Sequence, residues 1–413
     1  MAGLKRTLGL LDTVSLSLGA IIGAGIFVVI GIAARVAGPS LIVSIVIAGI
    51  IAALTGISVS HLLRAFPKEG GQYEYGSRTL SPSLGFLSGW MWCLNKIVTD
   101  SVIALGFATY ASLFLHVPIQ VMALLIIAII MVINYLGVRT TGNLINLLVI
   151  AKVAILLFFV FVGLFYIKPV NFTPFAANGA IGILQASAII FFAYVGFIRP
   201  IYVVEEVKEP KKNVPRGIFL GLAIAAIIYV TVTFVAVGLV GSSLLGSSSS
   251  PLALAISVTK FPYAIAIVSI GAIIATFSVL LGDVLGLSRM IFAMGRKGDY
   301  PKWLGQISKS KSTPRNAIIL SGILIAIPTL FFDLKGLVQV ASFLILVYFA
   351  FVNLSAAKHK LKIKKSALIP ILGIIGTLAL AFSLSLYSIL IGFALIIAGI
   401  IYFSAKSKIS SRL

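Results

Sequence analysis

Gly19-Ala20-Ile21-Ile22-Gly23-Ala24-Gly25-Ile26-Phe27 lies inside the first long apolar segment of a 413-residue chain and puts three glycines in seven positions. Glycine in a helix interior costs roughly 1 kcal/mol against alanine. In lipid, an opened helix must also find new partners for its freed N–H and C=O groups. The cluster therefore reads either as a close packing seam of small residues between helices or as a deliberate break. The rest of the chain decides between them.

The chain is 60% hydrophobic and 10% charged, with a mean hydropathy of +1.16. Ordinary soluble domains do not have this composition, and repeated apolar runs of about 20 residues predict a polytopic helical membrane protein. The first run is too long for a cleavable signal peptide, lacks a small-residue cleavage site and leads into a second run. A single cysteine, Cys93, excludes an internal disulfide. Twelve spans are expected, at roughly 11–36, 41–64, 84–112, 119–137, 143–167, 180–206, 216–240, 262–290, 315–332, 337–356, 367–386 and 388–404. Trp90 and Trp92, near the start of the third, are expected to anchor it at the interface. Six serines between Ser242 and Ser250 predict a mobile, solvated outer connection.

The net charge of +22 suggests nucleic acid until the charges are placed. With the N-terminus inside, 25 lysines and arginines fall in inner segments and only Lys168, Lys260 and Lys335 in outer ones. That asymmetry predicts the cytoplasmic membrane with both termini in the cytoplasm. It turns the basic excess into a matter of orientation and contact with anionic lipid, and nucleic acid is not an expected partner.

A second interruption is expected in the sixth span. Pro200 lacks the N–H of a helical bond, it pushes Arg199 away from α geometry, and Gly196 lies four residues earlier. The first and sixth spans open two five-span halves, and an odd number of spans per half makes the halves opposite in orientation. Interrupted helices at corresponding places of inverted halves point to a transporter site at mid-membrane. The half-helix beyond the first gap offers free N–H groups and a positive dipole end to a carboxylate. Carbonyls released before each gap suit an ammonium group or a cation. Gly23 and Gly25 let the backbone approach a ligand. A zwitterionic amino acid carries both charges. A dinucleotide fold is excluded, because no strand precedes the glycines.

At these residues the chain resembles the amino acid–polyamine–organocation (APC) transporter superfamily, of the prokaryotic amino acid permease type. Four motifs carry the resemblance: Gly19 to Phe27; Phe191-Phe-Ala-Tyr-Val-Gly-Phe197 with Glu205-Glu206 and Pro215-Arg216; Phe66-Pro67…Gly70-Gly71…Tyr75; and Ser288-Arg289…Met294-Gly295…Gly298…Pro301. The resemblance implies an all-α LeuT-type 5+5 inverted repeat with discontinuous helices 1 and 6, working by alternating access. The repeats would be 1–170 and 171–357, followed by a basic linker and two terminal helices at 358–413. It further implies that backbone amides at Ala24, Gly25 and Ile26 hold the substrate carboxylate. Carbonyls near Ile21, Phe192 and Val195 would meet the amino group, Gly23, Ala193 and Gly196 would belong to the same substrate site, and Phe192 would gate it. Many relatives have an acidic residue after Gly-Phe of the sixth span, where this chain has Ile198 and Arg199. That weakens a basic substrate and leaves acidic or neutral ones. Arg199 either faces the cavity and pairs with a carboxylate or snorkels to the interface.

Ionisable groups within spans face a cavity or a partner as a rule. Lys152, among apolar residues of the fifth span, is a candidate to give up and regain a proton. The resemblance implies that it replaces the sodium ion of sodium-coupled relatives, so that a proton becomes the coupling ion. The alternative is a lysine tethered to backbone carbonyls of the first span. Asp283 is a candidate partner for Lys152. Asp100 is expected to pair with Lys96 one turn back, or else to serve in gating or proton relay. No cofactor is expected: His61, His116 and His359 have no ligand spacing, and no phosphate-binding Gly-x-x-x-x-Gly-Lys occurs. The resulting expectation is a secondary, sodium-independent, proton-coupled amino acid transporter, with an amino acid/polyamine exchanger as the alternative and a channel or membrane-embedded enzyme as remoter ones. The sequence leaves the oligomeric state open.

Overall fold

The structure, a computed structural model, describes residues 6–66, 71–137, 142–308 and 313–410. It is built from helices α1 (Leu10–Ile21), α2 (Ile30–Ala37), α3 (Leu41–Ala65), α4 (Gly71–Thr79), α5 (Pro82–Ala111), α6 (Ile119–Leu136), α7 (Gly142–Leu164) and α8 (Gly179–Tyr194). There follow α9 (Pro210–Ser247), α10 (Pro251–Ser257), α11 (Ala264–Arg296), α12 (Arg315–Phe331), α13 (Leu334–Lys362), α14 (Leu368–Ser383) and α15 (Leu386–Ser410). Among the described residues, nine helical stretches are long and apolar enough to cross a membrane, the first of them the 56-residue run Leu10–Ala65. Arg315–Phe331 and Leu368–Ser383 are shorter apolar helices.

Helix ends follow local chemistry. Pro82 opens α5, where it needs no intrahelical donor, and Ser81 accepts from the Leu84 N–H at 3.2 Å. Asp333 caps α13 by accepting from the Gly336 N–H. Gly137 closes α6 at φ 72°, a left-handed position that favours glycine.

α5 runs along α11 and α13, and α13 also packs on α3, α8 and α14, so α5 and α13 form the interior of the bundle. Both are buried along nearly their whole length. α6 instead turns Leu125, Ile129, Val132 and Leu136 outward on one face. An apolar outer stripe of that kind is what lipid requires.

Two expectations need correction. The serine-rich connection is largely helix rather than loop: α9 reaches Ser247 with an interruption at Gly241 (φ 76°) and α10 follows, and although Ser243, Ser247 and Ser249 are exposed, Leu245, Leu252 and Ile256 are fully buried. The apolar residues between the serines decide the outcome. Trp90 and Trp92 are not interface anchors. Trp90 donates to Leu395 O (3.0 Å) and stacks on Phe86 and Tyr402, while Trp92 points inward. In the polar segment after α3, Gly71–Thr79 forms a helix with Tyr75 fully buried; Pro67 to Gly70 lie outside the described residues.

Candidate functional site: two interrupted helices around a cavity

α1 stops at Ile21. Ile22 takes φ −75° and ψ 94°, which carries the chain out of helical geometry. Helix resumes at Ala24, runs through a π-helical turn at Gly25–Val29 and continues into α2. Such a break strands carbonyls on one side and N–H groups on the other. The carbonyls are taken up by side chains from three other helices. Lys152 of α7 donates Nζ–H bonds to Gly19 O (2.8 Å) and Ile22 O (3.1 Å). The Tyr229 hydroxyl of α9 lies 2.7 Å from Ile21 O and 3.3 Å from Ala193 O, so one donor serves both interruptions. Tyr110 of α5 donates to Phe27 O at 2.6 Å, inside the π turn.

The second interruption has a different form. α8 ends at Tyr194, and Val195–Glu206 continue as 3-10 helix with Pro200 inside and a kink at Val203 (φ −121°, ψ 25°). Runs of 3-10 longer than three or four residues are uncommon and often mark a hinge or strain. Glu205 and Glu206 close this segment, and Glu206 O accepts from the N–H groups of Thr7 and Leu8.

The two interruptions lock into each other through glycine. A Cβ on Gly25 would strike the Cβ and Cα of Ala193, and a Cβ on Gly196 would strike the backbone of Ala20 and Ile21. The packing seam and the break, alternatives in the sequence, are one arrangement.

Between them lies a cavity of about 40 Å³, several times the ~10–15 Å³ that one water needs. Ile21, Gly23, Ala24, Gly25, Phe192, Ala193, Val195, Gly196, Arg199 and Asp283 all line it. Of the sequence-derived candidates, Ile26, Asp100 and Lys152 are buried off its wall. The lining also contains Trp92, Lys96, Thr99, Tyr202, Val279 and Ile345, from α5, the 3-10 segment, α11 and α13.

The charges pair otherwise than expected. Asp283 of α11 accepts from Lys96 Nζ on α5 at Oδ2 (2.6 Å) and from Arg199 Nη1 at Oδ1. Arg199 therefore faces the cavity, with room made by Gly282, where a Cβ would collide with its guanidinium. Lys152 is not the partner of Asp283; it sits on the α1 carbonyls as the tether alternative described. Lys96 is not held by Asp100. Asp100 is fully buried beside Asp283, and neither of its oxygens accepts a hydrogen bond. Lys96 reaches across to α11 instead, where Asp283 binds it together with Arg199. A 5.9 Å approach to the Trp92 ring supports it there. Trp92 in turn donates to the Tyr202 hydroxyl at 2.8 Å.

Residues 12–411 match the family described as "Amino acid permease". The chain belongs to the amino acid permease family. It is 32% identical to an uncharacterised transporter of Mycobacterium tuberculosis over 99% of its own length and 93% of the relative's. It is 33% identical to the methylthioribose transporter of Bacillus subtilis, covering 90% and 86% of the two chains. It is also 31% identical to the branched-chain amino acid permease BcaP of the same organism, covering 78% and 74%. In this family member, sequence reasoning missed Tyr229, Tyr110, Tyr202 and Gly282, whose roles depend on which helix lies opposite. It also missed a contact between His61 Nε2 and His359 Nδ1 (3.0 Å), which joins α3 and α13 across 298 residues.

Proposed function

We propose that the protein is a secondary active transporter of amino acids in the cytoplasmic membrane, working by alternating access with both termini cytoplasmic. One observation carries the reading: a cavity bounded by the broken ends of two helices that interlock through Gly25 and Gly196. The N–H groups at the start of the resumed helix, Gly23 to Gly25, suit an α-carboxylate. Carbonyls at Ile21 and Ala193 suit an α-ammonium group. Tyr229 engages both oxygens, and a carbonyl has a second lone pair to offer. Amino acid transport by a relative, the branched-chain permease, supports the substrate class.

Reading Leu10–Ala65 as two passes and the two shorter apolar helices as one each gives the twelve spans of a LeuT-type 5+5 inverted repeat with a terminal pair. The repeats are 1–170 and 171–357, and 358–413 follow. The two interruptions then occupy the first helix of each repeat, and rocking of the bundle containing them alternates access. Lys152 fills with an ammonium group the place on the Gly19 and Ile22 carbonyls where a cation would bind, which supports sodium-independent transport coupled to a proton.

The test is uptake of labelled amino acids by purified protein in liposomes under imposed gradients. Saturable uptake driven by an inward proton gradient, and indifferent to sodium, is the expected result. Strict sodium dependence would reject the coupling. Label entering only against internal substrate would identify an exchanger, the second reading. Non-saturable flux would identify a channel.

A further inference from the structure

The cavity has two chemically distinct walls. One is the backbone of the interruptions at Gly23–Gly25 and Ala193–Gly196. The other, formed by α5, the 3-10 segment and α11, carries Lys96, Arg199 and Asp283. A ligand held by its α-amino and α-carboxylate groups on the first wall presents its side chain to the second.

Among the residues lining it, that second wall has two cations to one carboxylate and a surplus of donors. An ammonium group has three N–H donors and a guanidinium five, and Asp283 takes one from each. Two cations thus share one carboxylate in direct contact. Asp100, the neighbouring carboxylate, lies off the cavity wall and accepts none of these donors. Both cations belong to the cavity lining, with side chains 12% and 23% exposed, so the remaining donors can be reached from inside. Gly282 is shaped to admit the guanidinium, so the placement of Arg199 is built into α11.

We infer that Lys96 and Arg199 form the side-chain subsite of this cavity, and that the substrate is an amino acid carrying a second carboxylate in its side chain. The inference rests on the transporter reading above. The side-chain carboxylate adds to the free donors of Lys96 and Arg199 while Asp283 keeps the two cations in place. Charge-assisted bonds to such a group are stronger than those to a neutral acceptor. A basic side chain meets two like charges and is rejected, and an apolar one leaves the donors unused.

The experiment is competition for uptake and binding in liposomes containing the purified protein. Aspartate and glutamate are compared with their near-isosteric amides asparagine and glutamine, and with leucine and lysine. The wild-type protein should favour acid over amide by about tenfold or more. Arg199→Gln and Lys96→Gln should each shrink that ratio to threefold or less, mainly by weakening the acids, while Lys96→Arg keeps it. A wild-type protein that takes amides or leucine as well as the acids overturns the inference and leaves amino acid transport standing. A wild-type protein that takes none of the six overturns the transport reading with it. The acid-to-amide comparison needs no variant, so a misfolded Arg199→Gln or Lys96→Gln protein does not remove the test.

Discussion

At the first interruption the chain leaves helical geometry at Ile22, and Lys152 and Tyr229 must reach in from α7 and α9 to hold the loosened carbonyls. At the second the chain tightens from α to 3-10 turns at Val195 before the kink at Val203, and among the described residues one side-chain bond reaches a carbonyl beyond Val195, from Ser17 to Phe197 O at 3.3 Å. The difference follows from the residues that make each break. Glycine at position 23 follows an extended residue and leaves N–H groups free of side-chain obstruction. Proline at 200 removes a donor without opening the backbone. The first interruption therefore concentrates backbone polarity at the cavity, whereas the second contributes a charged side chain, Arg199.

The contrast breaks most completely where the two interruptions touch. Gly25→Ala and Gly196→Ala should each reduce uptake to near background and lower the yield of monodisperse protein, since overpacking of this kind costs about 1–3 kcal/mol or more. The two sites should then differ in rescue. Ala193→Gly removes one of the atoms obstructing Gly25→Ala and should restore part of the activity. The obstacles to Gly196→Ala are backbone atoms of Ala20 and Ile21, so no side-chain change should help. Size-exclusion profiles and uptake of the double variant check both statements.

Lys152 comes next. Lys152→Gln withdraws a charged donor from Gly19 O and Ile22 O, two carbonyls of a buried break. Hydrogen bonds to charged groups contribute about 1.5–3 kcal/mol each, so the melting temperature in detergent should fall by several degrees. If melting is unchanged, the first interruption holds itself, and its supposed dependence on outside helices is wrong.

Much of this arrangement was legible in the sequence because it rests on backbone rules. Gly23 and Gly25 announced the first interruption and Pro200 the second, since glycine and proline act locally whatever surrounds them. The helical class followed from composition alone. The partners of the charges were not legible. Lys96 has Asp100 one helical turn away, yet it bonds Asp283, 187 residues on. Nothing in an apolar α11 tells which of its faces meets α5. Tyr229 illustrates the same limit, as a buried tyrosine in an apolar run gives no sign that its hydroxyl ends between two broken helices. The serine-rich stretch misled because its composition outweighed Leu245 and Leu252, which decide its packing. Amphipathic periodicity cannot arbitrate when both lipid and protein faces are apolar.

Tyr229→Phe removes one hydroxyl from both interruptions at once. A lost neutral hydrogen bond with a buried acceptor left behind costs about 1–3 kcal/mol, so uptake should fall by about tenfold with the protein still folded. Tyr110→Phe, which touches only the π turn at Phe27 O, should cost stability by a similar amount and affect substrate affinity less. Affinity measured for the two variants separates a hydroxyl shared by both breaks from one that merely supports a helix.

Ser17→Ala should have the smallest effect. Ser17 is fully buried, and its hydroxyl lies 3.3 Å from Phe197 O, a long bond at the edge of useful geometry. α9 packs closely on it at Gly221, where a Cβ would come 2.6 Å from the serine Cβ, so the alanine keeps its packing and loses only the hydroxyl. The expected cost is about 0.5–1 kcal/mol, with uptake within threefold of the wild type. The comparison with Tyr229→Phe carries the weight. If the 3-10 segment satisfies its own backbone by tightening, it needs no outside donor, and Ser17→Ala is mild. If Ser17→Ala is as damaging as Tyr229→Phe, the second interruption depends on borrowed hydrogen bonds as heavily as the first. The asymmetry between a glycine-opened and a proline-tightened break would then have to be given up.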